Sequence, residues 1–203
     1  VLVLFVLAKN VPQYARRCAE RAADFKARAV SAMREERDGA VELLEAAEHS
    51  LRAALSVAPQ DHEVHHALAG LHAIRGESAA ARAACRRACA LYPPCPKPRN
   101  ALGSLLLFAG RPRAALRHFE RALRLCTRLG LGPEEDDDCW EAAVNVALCT
   151  VQLSERGPSS TIPPAAVDSA LGLLRRALVS TPTDERLLNL LTRVERLQEC
   201  TFS

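Results

Sequence analysis

Apolar residues in this chain recur at helical spacing, and glycine and proline cut them into lengths of about one helix. Ala81, Cys85 and Ala88 stand at i, i+4 and i+7, one face of a helix, and Ala115, Phe119 and Ala122 repeat the pattern. Gly76 and Gly110 end the first helix of a pair and open a turn. Pro112 follows where a first-turn proline is tolerated, and Pro59 and Pro93 stop the second helix. Runs of β-branched residues are short, and no Asn-Gly or Asp-Gly turn joins alternating segments, so strands are not expected.

These positions keep step with one another. Ala47, Ala81 and Ala115 are 34 residues apart, as are Ala54, Ala88 and Ala122, Pro59 and Pro93, Leu68 and Leu102, and Gly76 and Gly110. A shared period of this length predicts a repeated unit of helix, turn, helix and stop. One hairpin cannot bury its apolar stripe alone, so neighbouring hairpins must stack. The register places units over 28–61, 62–95 and 96–129. A divergent fourth covers 137–184, with Trp140, Ala143 and Ala147 in its first helix and Ala170, Leu174, Ala177 and Pro182 closing its second. The loop 154–164 between them carries prolines and no apolar period. Residues 1–27 read as an apolar start and an N-terminal helix, and the amphipathic stretch Pro12–Arg37 supplies the first helix of unit one. Residues 185–203 read as a C-terminal capping helix, with Asp184 as N-cap and Leu187, Leu188, Leu191, Val194 and Leu197 on its apolar face.

The columns resemble the tetratricopeptide repeat (TPR) family. Leu102, Gly103, Ala115, Phe119 and Ala122 match its repeat best, followed by Leu68, Ala69, Ala81, Cys85, Ala88 and Pro93, and then by Ala47, Leu51, Ala54 and Pro59. A pentatricopeptide RNA reader has a similar period, but the paired alanines and terminal prolines favour the TPR pattern. The resemblance implies an all-α fold, a right-handed α-solenoid of stacked helix-turn-helix (TPR-like) repeats with flanking capping helices. It further implies a concave groove lined by the first helix of each pair, which would place Glu63, His66, Ile74, Lys97, Asn100, Ser104 and Phe108 along it. The family's clamp for chaperone tails wants Lys, Asn, Asn, Lys and Arg at five set positions. Here those positions hold Ala32, Glu36, Ala67, Lys97 and Ala101, and only Lys97 fits, so a chaperone-tail clamp is not expected.

Composition changes this picture little. The 203 residues are 49% hydrophobic and 25% charged, as in a globular domain or a short solenoid. Of the 27 basic residues 24 are arginine, yet 24 acidic residues leave a net charge of only +3. The arginine excess therefore reads as a composition bias before it reads as a polyanion-binding surface. The cysteines (Cys18, Cys85, Cys89, Cys95, Cys126, Cys139, Cys149 and Cys200) form no CxxC pair. They read as mostly reduced core residues, which favours an intracellular reducing compartment; one or two disulfides in an oxidising compartment are the alternative. Val1–Ala8 is an unbroken apolar run spanning about 12 Å as helix, far short of a membrane crossing. It reads as a packing segment, with membrane contact, as the end of a longer membrane or targeting segment, as the alternative.

Three motifs carry candidate chemistry. His62-Glu63-Val64-His65-His66 fits HExxH, in which two histidines one turn apart bind zinc beside a glutamate base. The 34-residue register already accounts for Leu68 and Ala69 beside it, Ala69 stands where a zinc protease of the extended pattern needs glycine, and His72 lies about 240° from His66 around a continuing helix. A zinc-dependent hydrolase at His62, Glu63 and His66 is therefore the third reading only. Cys85, Cys89 and Cys95 offer soft ligands, but Cys85 occupies an apolar core position. Arg113, Arg117, Arg121, Arg124 and Arg128 form a basic stripe on one helix, with the acidic run Glu134–Asp138 close enough in sequence to neutralise part of it. No aromatic interleaving suggests base stacking. No phosphate loop, nucleophile elbow or catalytic carboxylate pair occurs. The expectation is a non-enzymatic protein–protein interaction scaffold or adaptor in a larger assembly, with no cofactor, metal or small-molecule substrate. RNA binding through the arginine stripe is the alternative.

Overall fold

The structure, a computed structural model, describes residues 2–35, 38–131, 136–156 and 164–201; for 2–10, 156, 164–165, 180 and 200–201 it describes the backbone alone. Every regular element among these residues is an α-helix: α1 (Leu2–Arg34), α2 (Ala40–Val57), α3 (His62–Ile74), α4 (Ser78–Leu91), α5 (Lys97–Phe108), α6 (Pro112–Arg128), α7 (Asp137–Arg156), α8 (Pro164–Ser180) and α9 (Glu185–Thr201). Most of the proline-bearing loop read at 154–164 lies outside the described residues, while its ends belong to α7 and α8. No described helix is long and apolar enough to cross a membrane.

The chain divides into two compact units, residues 1–93 and 94–203. In the first, α1 lies along α2, α3 pairs with α4, and α3 also touches α1 and α2. In the second, α5, α7 and α9 form one layer and α6 and α8 pack behind it: α7 touches α5 and α9, α6 touches α5 and α7, and α8 touches α7 and α9.

The repeated small residues make this stacking work. Ala47/Leu51/Ala54 on α2, Ala81/Cys85/Ala88 on α4, Ala115/Phe119/Ala122 on α6 and Ala170/Leu174/Ala177 on α8 occupy equivalent helical positions, and all twelve are buried. An alanine at a helix contact lets the axes approach closely. The larger side chain between each alanine pair fills the space this opens and removes apolar surface from water, about 2 kcal/mol for a leucine. The result is an all-α, TPR-like fold of stacked helical hairpins.

The hairpin turns are equally periodic. Gly76 and Gly110 adopt φ of 76° and 70°, the left-handed region where a Cβ is strained. In both turns the residue after the glycine bonds back to a carbonyl five residues earlier, Glu77 N to His72 O and Arg111 N to Leu106 O, at 2.8 and 3.0 Å. The starts of α3 and α9 also match: Asp61 Oδ1 accepts from Glu63 N and Val64 N, and Asp184 Oδ1 from Arg186 N and Leu187 N. On α9, Leu187 and Val194 are buried as expected, but Leu188 stands exposed.

In the N-terminal region a single helix runs from Leu2 through Pro12 to Arg34, so the apolar start and the amphipathic stretch that follows it belong to one element. Proline removes one backbone donor and crowds the carbonyl four residues back, but contacts along the helix outweigh that loss. Ala15, Cys18, Ala22 and Ala29 form the buried stripe that holds α1 against the first unit's core.

One ion pair ties the first unit together and sets an acid-side dependence. Arg75 donates to Glu48, which also meets Arg52 at 2.6 Å. The hydrogen bond from Arg75 is the main reason that the Glu48 carboxyl is held below its ordinary value of 4.5, with burial opposing. A lowered carboxylate pKa contributes stability that is present above 4.5 and lost as pH falls through the folded-state value. Glu48→Gln is expected to be less stable than the wild type at pH 7, with the gap closing as the pH falls below 4.5 and through the folded-state value. Chemical denaturation followed by far-UV circular dichroism checks this; an equal gap at both pH values rejects the assignment.

Candidate functional site

The residues read from sequence as groove-lining fall in both units and are described unit by unit. On α3, Glu63 is exposed, and His66 and Ile74 are half-buried. The histidine string around them has structural partners. His62 lies against the Tyr92 ring with centroids 4.7 Å apart, His65 Nε2 meets Pro59 O at 3.0 Å, and His72 Nδ1 meets Glu77 Oε2. His62, Glu63 and His66 do not converge as ligands. Among the described residues the one group close enough to share an ion is Cys126, Asp136 and Cys139, and its two sulfurs are joined as a disulfide. Cys85 is fully buried, and burial, aided by neighbouring Cys89, pushes its thiol up to about 12. Cys85 thus packs as a small apolar side chain in the core position of its helix.

On α5, Lys97, Ala101, Ser104 and Phe108 share a face, at i, i+4, i+7 and i+11. Leu102, Gly103 and Leu106 on the opposite side are buried, Gly103 directly against the Phe119 ring of α6. Lys97 Nζ stands 3.6 Å from Asp138 Oδ2 at the start of α7. Ser104 Oγ donates to Asn100 O within its own helix, and Phe108 is 91% exposed.

Asn100 requires a correction. It is 2% exposed, and its amide Nδ2 donates to Asp138 O at 3.3 Å. It holds α5 to the first turn of α7 and offers no surface to a groove. Two residues of the acidic run serve that turn: Asp136 Oδ1 accepts from Cys139 N at 3.0 Å, and Asp138 pairs with Lys97. Glu134 and Glu135 lie outside the described residues. Burial raises the Asp138 carboxyl above its usual range, with Lys97 opposing, and burial also raises Glu141, with the Asp138 charge adding to it. The five arginines of the stripe are all exposed on α6, and none has an ion pair among the described residues.

A further feature of this layer is not visible in the sequence alone. Between the C-terminal half of α7 and α9 lies an open cavity of about 510 Å³, lined by Val151, Ser154, Glu155, Asn189, Thr192, Arg193, Arg196 and Leu197. Asn189, Arg193 and Arg196 stand at i, i+4 and i+7, a polar stripe opposite buried Leu187 and Val194. That spacing was the available signal.

No family model matches the chain, and no curated protein sequence matches it. Solved structures share its fold. PilW, described as a widely conserved type IV pilus biogenesis factor, is 18% identical with a TM-score of 0.59, over 88% of this chain and 70% of that one. PilF of Pseudomonas aeruginosa is 17% identical with a TM-score of 0.59, over 89% and 74%. MamA is 13% identical with a TM-score of 0.53, over 90% and 87%. At these identities the likeness is one of architecture, a TPR-like stack of helical hairpins.

Proposed function

We propose that this chain is a protein–protein interaction scaffold, a non-enzymatic subunit or adaptor of a larger assembly, and that the α5–α7–α9 layer of its second unit holds an extended segment or helix of the partner. Phe108 carries the reading. A phenylalanine left 91% in water gains nothing for the fold, whereas covering it on association contributes about 2 kcal/mol. It stands on the same face as Lys97 and Ser104, away from the helices packed behind α5. Co-purification from the native source with mass spectrometry identifies the partner. Phe108→Ala is then expected to weaken its capture by about tenfold or more with an unchanged unfolding midpoint. Capture unaffected by Phe108→Ala combined with Lys97→Glu rejects the α5 face.

One observation favours RNA as the second reading: five exposed guanidiniums along α6 with no carboxylate against them among the described residues. If they bind phosphates, retention on single-stranded RNA at low salt must fall steeply as salt rises. No retention at low salt rejects it.

A further inference from the structure

We propose that the α7–α9 cavity is a receptor for a carboxylate carried by an acidic, extended stretch of the partner protein, with Arg196 as the group that grips it. This deepens the scaffold reading and rests on it. Two guanidiniums, Arg193 and Arg196, face the cavity, and Glu155 is the one carboxylate in its wall. Arg193 is spent on Glu155. Arg196 is exposed and has no ion pair or hydrogen bond among the described residues.

The hydroxyls in the wall are already used: Ser154 Oγ donates to Val151 O at 2.6 Å and Thr192 Oγ1 to Leu188 O at 2.9 Å. Asn189, with no hydrogen-bond partner among the described residues, supplies a second donor one turn from Arg193. The unspent recognition chemistry is therefore one guanidinium fork and one amide, over an apolar floor of Val151 and Leu197. A planar guanidinium matches a carboxylate in two parallel hydrogen bonds. A single uncompensated positive charge matches a monoanion. The Glu155 carboxylate in the same wall opposes a phosphate dianion. A volume near 510 Å³ is of the size that takes one or two side chains of a docked segment.

The test uses the full chain and three fluorescent peptides of equal length and apolar content, read by anisotropy at low and physiological salt. One has glutamates and an amidated end, one has glutamines and a free C-terminal carboxylate, and one has phosphoserines. The glutamate peptide is expected to bind, or the glutamine peptide if the carboxylate is a chain end. Arg196→Gln should weaken that binding about tenfold to a hundredfold. Glu155→Gln, which frees Arg193 and removes the opposing charge, should tighten it several-fold. Arg186→Gln, on the same helix but outside the cavity, should leave it unchanged. Binding of neither carboxylate peptide, preference for the phosphoserine peptide, or equal binding by wild type and Arg196→Gln overturns the proposal. The two readings fail separately: partner capture weakened in Phe108→Ala but intact in Arg196→Gln removes the carboxylate receptor and leaves the scaffold, whereas capture intact both in Arg196→Gln and in Phe108→Ala combined with Lys97→Glu removes the receptor and the α5 face together.

Discussion

Phe119→Ala is expected to remove about 3–5 kcal/mol from the stability of the second unit, a large share of what a domain of this size possesses. The ring is completely buried on α6, between the alanines Ala115 and Ala122, and faces Gly103 of α5. Truncation leaves a void where two helices meet. The sole tryptophan, Trp140, lies in the same unit on α7, so its fluorescence during urea unfolding reports this loss directly. Gly103 supplies an internal control through a change of sign. A Cβ there would sit 2.6 Å from Phe119 Cε1 and 2.8 Å from Cδ1 and Cζ. Alanine in mid-helix gains roughly 1 kcal/mol over glycine, but forcing apart a filled contact costs about 1–3 kcal/mol. Gly103→Ala should therefore destabilise the wild type and become neutral or stabilising once Phe119 is alanine. A Phe119→Ala loss below about 1 kcal/mol would refute this packing.

The fold was legible because its physics is local and repeated. A small residue that permits close approach and a glycine that permits a left-handed turn must return once per hairpin, and Ala81, Ala115, Gly76 and Gly110 do. The site was less legible, for two physical reasons. Position in a repeat says which way a side chain leaves its helix but not what the next helix puts over it, so Asn100 was read as groove-lining although Asp138 covers it. Beyond residue 129 the insertion between α7 and α8 breaks the period, so no register carried the reading to α9. The cavity that α9 forms with α7 exists only through tertiary packing.

Reduction of the Cys126–Cys139 bond is expected to cost the second unit about 3 kcal/mol, the loop entropy returned to the unfolded chain when a closure of this length opens. The two residues are 13 apart in sequence, with Cα atoms 6.0 Å apart, and join the last turn of α6 to the first turn of α7. Without a CxxC spacing nothing in the sequence paired them. The geometry that does so is the turn at Gly130, where Leu131 N bonds back to Cys126 O at 3.0 Å, together with Asp136, whose carboxylate accepts from Cys139 N. Both local devices persist without the covalent bond, so the reduced unit should keep its helices and lose stability only. Dithiol reductant should lower the Trp140-detected unfolding midpoint of the wild type and leave that of a Cys126→Ala/Cys139→Ala variant unmoved. Alkylation of the unreduced, denatured chain should leave these two of the eight cysteines unlabelled. If the two transitions respond alike to reductant, or both cysteines label without reduction, the pairing is wrong, and the α6–α7 corner is held by packing and the Asp136 cap alone.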